Sequence, residues 1–183
     1  MAALTPGSTG EETPHLAVPH PPRTVAERQA LRAQILAFEA ALAQVPDAVH
    51  GDSDQLPLTH SFGDGCYVRE IFIPTGWIYV GKIHKHAHPR FLLKGELLIA
   101  TEFGGTEHHV APCYMLTPAG TKRAGIALQD TIIVTVHVTQ ETDLDKIEAD
   151  IIAPDYTAFE AYRAALLSPA MPVALGPAEE HTP

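Results

Sequence analysis

Short apolar runs, rich in β-branched and aromatic residues and separated by turn residues, fill the chain between residues 66 and 138. Breaks fall at Pro74-Thr75-Gly76, His88-Pro89, Gly104-Gly105, Pro112 and Pro118-Ala119-Gly120. The pattern predicts strands over Cys66–Ile73, Trp77–His86, Phe91–Phe103, Glu107–Val110, Cys113–Leu116, Gly125–Leu128 and Thr131–Val138. Because no helical pattern separates these strands, they indicate an antiparallel sandwich or barrel.

Helical patterns flank the strand region. Thr24 and Glu27 have the spacing of a capping box, and an apolar stripe at helical period follows, through Leu31, Ile35, Phe38, Leu42 and Val45. The sequence therefore predicts one domain made of a disordered arm over 1–22, an amphipathic helix over 23–46 ended by Pro46, a β-barrel over 60–140, short helices over 141–167 and a disordered tail over 168–183. The stretch between Asp47 and Gly65 is polar and turn-rich, and no individual strand is predicted within it.

Composition excludes several classes of function. The formal net charge is −10 and no basic run occurs, which argues against nucleic-acid binding. No stretch approaches 18 apolar residues and no secretory pattern is evident, so we expect a cytoplasmic protein without a membrane span. Cys66 and Cys113 lack a CxxC spacing, which excludes a structural zinc cluster of cysteines and favours two buried thiols.

Three alternating histidines, His84, His86 and His88, mark the candidate site. On a regular strand their side chains project from one face, together with Lys82, and two ligands two residues apart can reach one ion. All three positions span about 13 Å, which is too far for bonds of about 2.1 Å to a shared ion. One of the three must therefore do something else, and Pro89 predicts a turn just after His88.

Two segments resemble the motifs of the cupin family. Pro74-Thr75-Gly76, a strand, His84-Lys85-His86 and Leu92-Leu93-Lys94-Gly95-Glu96 are similar to the first cupin motif, which has two histidines, a glutamate and a closing glycine. The segment Thr117-Pro118-Ala119-Gly120-Thr121-Lys122-Arg123-Ala124-Gly125 resembles the second motif with its Pro-x-Gly turn. The resemblance implies a jelly-roll barrel over roughly Cys66 to Val138.

The chain departs from the family at two ligand positions. No carboxylate lies between His86 and Glu96, and Arg123 stands where the family has its last histidine. The resemblance therefore implies His84 and His86 as ligands of one divalent transition metal, Fe, Mn, Ni or Zn. The set would be completed either by His88 in place of the glutamate or by His137 from the last strand. A lone histidine in an apolar strand is as often a core residue, so both interpretations of His137 stay open.

Two cations are candidate catalytic residues. Arg123 can bind an anionic substrate group or form a salt bridge with Glu70 or Asp130, and Lys82 can polarise a substrate. We expect a metal-dependent enzyme with oxygenase, isomerase or lyase chemistry on a small anionic molecule. The alternative is a non-catalytic cupin that binds a ligand or serves in assembly, since segments such as Gly65–Ile71 and Thr142–Glu148 resemble small phage and prophage cupin-like proteins. The amphipathic helix and the family resemblance favour a homodimer.

Overall fold

The computed structural model describes residues 23–46, 48–49 and 53–168. Its elements in chain order are α1 (Val25–Leu42), β1 (Leu58–Gly63), β2 (Cys66–Ile73), β3 (Ile78–Val80), β4 (Ile83–His84), β5 (His88–Lys94), β6 (Glu96–Thr101), β7 (Gly105–Val110), β8 (Cys113–Thr117), β9 (Arg123–Ala127), β10 (Thr131–Val138), α2 (Leu144–Ile151), β11 (Ile152–Ala153) and α3 (Tyr156–Leu167). The predicted disordered arm over 1–22 lies outside the described residues, as does the predicted tail apart from Ser168.

Strand order identifies the architecture. One antiparallel sheet has the order β1-β2-β10-β5-β8, and the facing sheet has the order β3-β9-β6-β7. Without β1, the remaining eight strands are divided between the two sheets in the order of a jelly roll, β2-β10-β5-β8 and β3-β9-β6-β7. The predicted fold class is therefore confirmed: the protein is mainly β, a jelly-roll barrel with an N-terminal helix and short C-terminal helices.

Three strand predictions need correction. The sequence predicts no strand between Asp47 and Gly65, but β1 lies there. Its alternating Leu58, His60 and Phe62 form a period-two pattern, which is weak because the neighbouring residues are polar. The predicted strand Phe91–Phe103 is two strands that part at Gly95. This glycine has φ +88°, and a Cβ there would lie 2.5 Å from the carbonyl oxygen of Asp130. Only glycine fits this turn without strain.

The predicted strand Trp77–His86 is also wrong as one element. It divides into β3 and the two-residue β4, because the chain leaves the four-stranded sheet after Val80 and pairs instead with β11. Pairing joins His84 to Ile152 and Ile83 to Ala153. The sequence prediction contained no β11. A two-residue strand directly after a helix leaves almost no periodic signal.

Inward-facing residues of the barrel form layers. Across β2, β10 and β5, register places Tyr67 beside His137, then Arg69 beside Thr135 and Arg90, then Ile71 beside Ile133 and Leu92. Successive layers are two residues apart along each strand, about 7 Å. The apolar layer continues into a core cluster that contains Ile73, Leu97, Ile99 and Ala127. The barrel is thus apolar at one end, cationic in the middle and histidine-rich at the other end.

Helix α1 packs on the outside of the four-stranded sheet through charged as well as apolar side chains. The predicted capping box is present, with the Glu27 amide donating to the Thr24 hydroxyl. Ile35 of the predicted stripe is buried, whereas Phe38 is 40% exposed and Val45 is 50% exposed. The helix ends at Leu42 rather than at Pro46, and turns connect these two residues. A proline ring disfavours helical backbone at the residue before it.

None of the helices in the described part of the chain is long and apolar enough to cross a membrane.

Candidate metal centre

Three histidines meet at the histidine-rich end of the barrel. His84, His88 and His137 each offer a ring nitrogen, and these nitrogens all lie within 4.8 Å of one another. The ring centroids are 4.2 Å apart for His84 and His88, 4.6 Å for His88 and His137, and 5.2 Å for His84 and His137. We call these three residues the histidine cluster. All three are buried, with 7%, 1% and 4% of their surface exposed.

Backbone pairing fixes where each ring lies. His84 ends β4, where its carbonyl oxygen accepts a hydrogen bond from the Gly120 amide at 2.8 Å, and the Lys85 amide donates to the Ile151 carbonyl oxygen. His88 opens β5 opposite Thr117 of β8. His137 stands near the end of β10, opposite Tyr67, whose ring stacks against it at 6.0 Å. The cluster therefore joins two strands that follow each other closely in sequence, β4 and β5, with the distant β10.

The cluster nitrogens lack partners among the described residues. Both ring nitrogens of His84 and the Nε2 atoms of His88 and His137 are buried without a hydrogen bond. Burial lowers the pKa of His84 well below its ordinary value, lowers that of His88 to about 3 and lowers that of His137 to about 4. The rings are therefore neutral at physiological pH, which is the form that binds a metal ion.

One hydrogen bond selects the ligand atom of His88. Its Nδ1 lies 3.2 Å from the carbonyl oxygen of His86, which can only accept. Nδ1 therefore carries the proton and Nε2 keeps its free lone pair, the arrangement that orients metal-binding histidines in proteins.

These residues fit a transition-metal ion. Three neutral imidazoles with convergent, unpartnered nitrogens are a donor set suited to Zn, Fe or Ni. Nitrogens bound to one ion at about 2.1 Å lie at most about 4.2 Å apart. Binding would therefore draw the three rings somewhat closer together.

The structure brings His88 and His137, the two alternative ligands, together with His84, whereas His86 lies outside the histidine cluster. The interpretation that His84, His86 and His88 share one strand face is wrong, because β4 ends at His84 and β5 begins at His88. The His86 side chain is exposed, and its Nε2 lies 3.4 Å from the Tyr162 hydroxyl. A ligand role for His86 stays a prediction, whereas its backbone carbonyl has a visible role in orienting His88.

Arg123 and Lys82 occupy different parts of one cavity of about 870 Å³. Arg123 is 7% exposed, and its Nη2 has no partner among the described residues. The suggested acceptor Asp130 instead accepts hydrogen bonds from the amide and hydroxyl of Thr75, at 3.0 and 2.9 Å. Lys82 is partly exposed and pairs with Glu148 of α2. Catalytic roles for both cations stay predictions.

Sequence reasoning missed two further cavity residues. Arg69 and Arg90 line the same cavity as Arg123 and His84. The signal was present, because Arg90 follows His88 by two residues and so shares its inward face.

No protein-family model matches the sequence, and no curated protein matches it. Solved structures that resemble it include cupin superfamily proteins. KdgF from Halomonas sp. is 11% identical, with a TM-score of 0.43, over 52% of this chain and 88% of that one. A cupin superfamily protein from Desulfitobacterium hafniense is 12% identical, with a TM-score of 0.41, over 51% and 85%. An RmlC-like cupin from Shewanella frigidimarina is 15% identical, with a TM-score of 0.35, over 50% and 91%. At these scores the fold assignment rests on strand order within this chain.

Proposed function

We propose that the protein is a metal-dependent enzyme that acts on a small anionic molecule, with one divalent transition metal held by His84, His88 and His137. A single observation carries the proposal. Four buried ring nitrogens of these residues have no partner among the described residues, and one from each converges within 4.8 Å. Leaving such polar atoms unpaired is costly, so they are expected to have a ligand.

Three protein ligands are typical of catalytic rather than structural metal sites. Such an ion keeps open positions and acts there as a Lewis acid or, if it is iron, binds dioxygen. The histidines bring no negative charge, so an anionic ligand would be favoured beside them. His84 is the member of the cluster that lines the cavity, which gives a bound molecule access to the site.

Elemental analysis of protein purified without an affinity tag tests the metal site. We expect one transition-metal ion per chain in the parent protein and loss of that ion in His84→Ala and His137→Ala. The matched control is His86→Ala, which removes an imidazole of the same segment but keeps the backbone carbonyl that orients His88. Metal content well below one ion per chain, unchanged by all three substitutions, would contradict the proposal.

Water relaxation separates a catalytic site from a structural one. We load the metal-free protein with Mn²⁺ and measure the longitudinal relaxation rate of solvent protons. An ion with open positions exchanges water and raises this rate above that of His84→Ala treated in the same way. A bound ion that leaves the rate unchanged would be closed to solvent and would argue against an enzyme.

A further inference from the structure

Arg69, Arg90 and Arg123 form a second cluster, one layer below the histidine cluster, which we call the arginine cluster. Register places Arg69 and Arg90 on either side of Thr135, and Arg123 lines the same cavity from the opposite sheet. Arg90 is 3% exposed and Arg123 is 7% exposed. Gly81 makes room for Arg123, because a Cβ at this glycine would lie 3.2 Å from the arginine Cγ.

The two buried arginines keep unpaired donors. The Nε of Arg90 and the Nη2 of Arg123 have no hydrogen-bond partner among the described residues. Nη2 of Arg90 contacts the Met115 sulfur, which is a weak acceptor. A buried guanidinium is normally matched by a carboxylate or phosphate that accepts two of its hydrogen bonds. The arginine cluster therefore lacks an anion.

Neighbouring groups do not supply the missing charge. Burial lowers the pKa of Arg90, and Tyr79, Cys113 and Glu107 partly offset this. Glu107, the carboxylate among them, accepts from Nε2 of His109 at 3.3 Å, and no salt bridge joins it to Arg90 among the described residues. Burial raises the pKa of the Tyr79 hydroxyl, which therefore stays neutral. An anion from outside the described chain is the group that fits.

Beyond the arginine cluster much of the cavity wall is apolar. It is formed there by Leu56, Ile71, Ile73, Trp77 and Ile133, and Leu42 at the end of α1 and Val45 in the turn after it add to this surface, with Glu39 and Lys82 as charged members of the lining. The cavity volume, about 870 Å³, lies in the range of small-molecule sites. A small polar anion would leave this apolar surface in contact with water, whereas an apolar group attached to the anion would cover it.

We propose that the cavity binds a carboxylic acid with an apolar body, its carboxylate held by Arg90 and Arg123 and its body against Trp77, Ile73 and Ile133. The inference rests on the proposed function and gives its substrate class. The arginines lie in the layer next to the histidine cluster, and His84 lines the same cavity, so reaction at the histidine cluster falls on atoms close to the carboxylate. The apolar body fixes the orientation of the acid.

Fluorescence of Trp77, the single tryptophan of the chain, reports binding directly. Metal-free protein is titrated with octanoate, with its shorter homologues, with 1-octanol and with succinate. We expect saturable octanoate binding that weakens roughly fourfold for each methylene removed. Octanoate should bind at least tenfold more tightly than 1-octanol or succinate. This series needs no substitution, so it tests the proposal even if a variant fails to fold.

Substitution then assigns the carboxylate. Arg123→Met and Arg90→Met should each weaken octanoate binding at least tenfold and leave 1-octanol binding unchanged. The control Arg163→Met, which removes an exposed arginine outside the cavity lining, should bind octanoate as the parent does. Equal affinity for octanoate and 1-octanol, tighter succinate binding, or unchanged octanoate binding in Arg123→Met would overturn the proposal.

Because the octanoate titration uses metal-free protein, its result is independent of the metal site in the proposed function. If the protein binds one metal ion per chain but its metal-free form does not bind octanoate, the proposed substrate class is wrong and the metal site is unaffected. Octanoate binding in a protein that never retains metal would support the cavity assignment and contradict the metal-dependent enzyme.

Discussion

Buried cations are treated in opposite ways in two regions of this protein. Along the seam where α1 meets the barrel, Lys122 is 5% exposed and its Nζ lies 2.7 Å from an Oε of Glu39. Arg32 forms two hydrogen bonds with the buried Glu102, at 2.6 and 3.2 Å. Inside the barrel, Arg90 and Arg123 are as deeply buried, and each keeps a donor without a partner in the described chain.

The pKa values reflect the same difference. Hydrogen bonding to Glu102 raises the pKa of Arg32, whereas burial and the neighbouring Arg90 lower the pKa of Arg123 to about 9. At the seam, the buried Glu102 carboxylate and the buried Lys122 ammonium group are each paired with an opposite charge, as a structural contact needs. The barrel interior contains arginine charges and imidazole lone pairs that have no partner among the described residues. These groups destabilise the fold unless a ligand binds them, as is common at functional sites.

Breaking the seam should give the largest change in stability. Arg32→Ala leaves the Glu102 carboxylate, whose side chain is 2% exposed, without its partner. Arg32 is itself 29% exposed, so we expect the free energy of unfolding to fall by about 2 to 3 kcal/mol, somewhat less than for a fully buried pair. Urea denaturation followed by circular dichroism measures this.

An exposed ion pair provides the control for the seam. Lys146 lies 3.5 Å from Glu141, and its side chain is 68% exposed. Lys146→Ala should change the free energy of unfolding by less than about 0.5 kcal/mol. If Arg32→Ala costs no more than this control, the seam does not depend on its ion pair and the comparison fails.

Removing the interior charge should change stability in the opposite direction. Arg123→Met replaces an incompletely paired buried guanidinium with an apolar side chain of similar length. We expect the free energy of unfolding of the ligand-free protein to rise by about 1 kcal/mol. The same urea experiment measures it, and a loss comparable to that of Arg32→Ala would show that Arg123 is a structural residue.

Acidification should lower the free energy of unfolding by a smaller amount, because the rings of the histidine cluster are neutral in the folded protein. The pKa of His88 is lowered to about 3 in the folded protein, and the ordinary value of the unfolded chain is about 6.5. Between these values the unfolded state binds more protons, so stability falls as pH decreases. From pH 7 to pH 6 the linkage amounts to about 0.7 kcal/mol for this residue.

The measurement compares the parent protein with His88→Gln, both free of metal, at pH 7 and pH 6. Thermal denaturation in the presence of a chelator should show a smaller pH-dependent loss for the variant. Identical losses in the two proteins would mean that His88 is not held as a buried neutral ring.

Local patterns predicted the fold well. Apolar runs and turn residues predicted an antiparallel sandwich or barrel, the resemblance to the cupin motifs specified a jelly roll, and the capping box gave the start of α1 correctly. The failures were at places where pairing between distant segments decides the structure. The chain from Trp77 to His86 reads as one strand, but its end pairs with β11, about 70 residues later, and no local period encodes that exchange.

Only part of the candidate site was predicted, again because pairing between distant segments decides its structure. The alternating histidines located it, and the absence of the family's glutamate directed attention to His88 and His137. Strand alternation placed His86 on one face with His84 and His88, because it assumed a regular strand through a segment where β4 ends and the chain turns. Arg90 could have been found from its position two residues after His88, whereas Arg69 carries no motif. Strand register brings both beside Thr135, and both line the cavity that Arg123 also lines.

Calorimetric titration of the metal-free protein with Zn²⁺ tests the central claim, that His84, His88 and His137 hold one ion, most directly. We predict one ion bound per chain in the parent and in His86→Ala, and loss of this binding in His84→Ala, His88→Ala and His137→Ala. Loss of binding in His86→Ala together with retention in His137→Ala would contradict the claim, since it would place the ion at the exposed histidine rather than in the buried cluster.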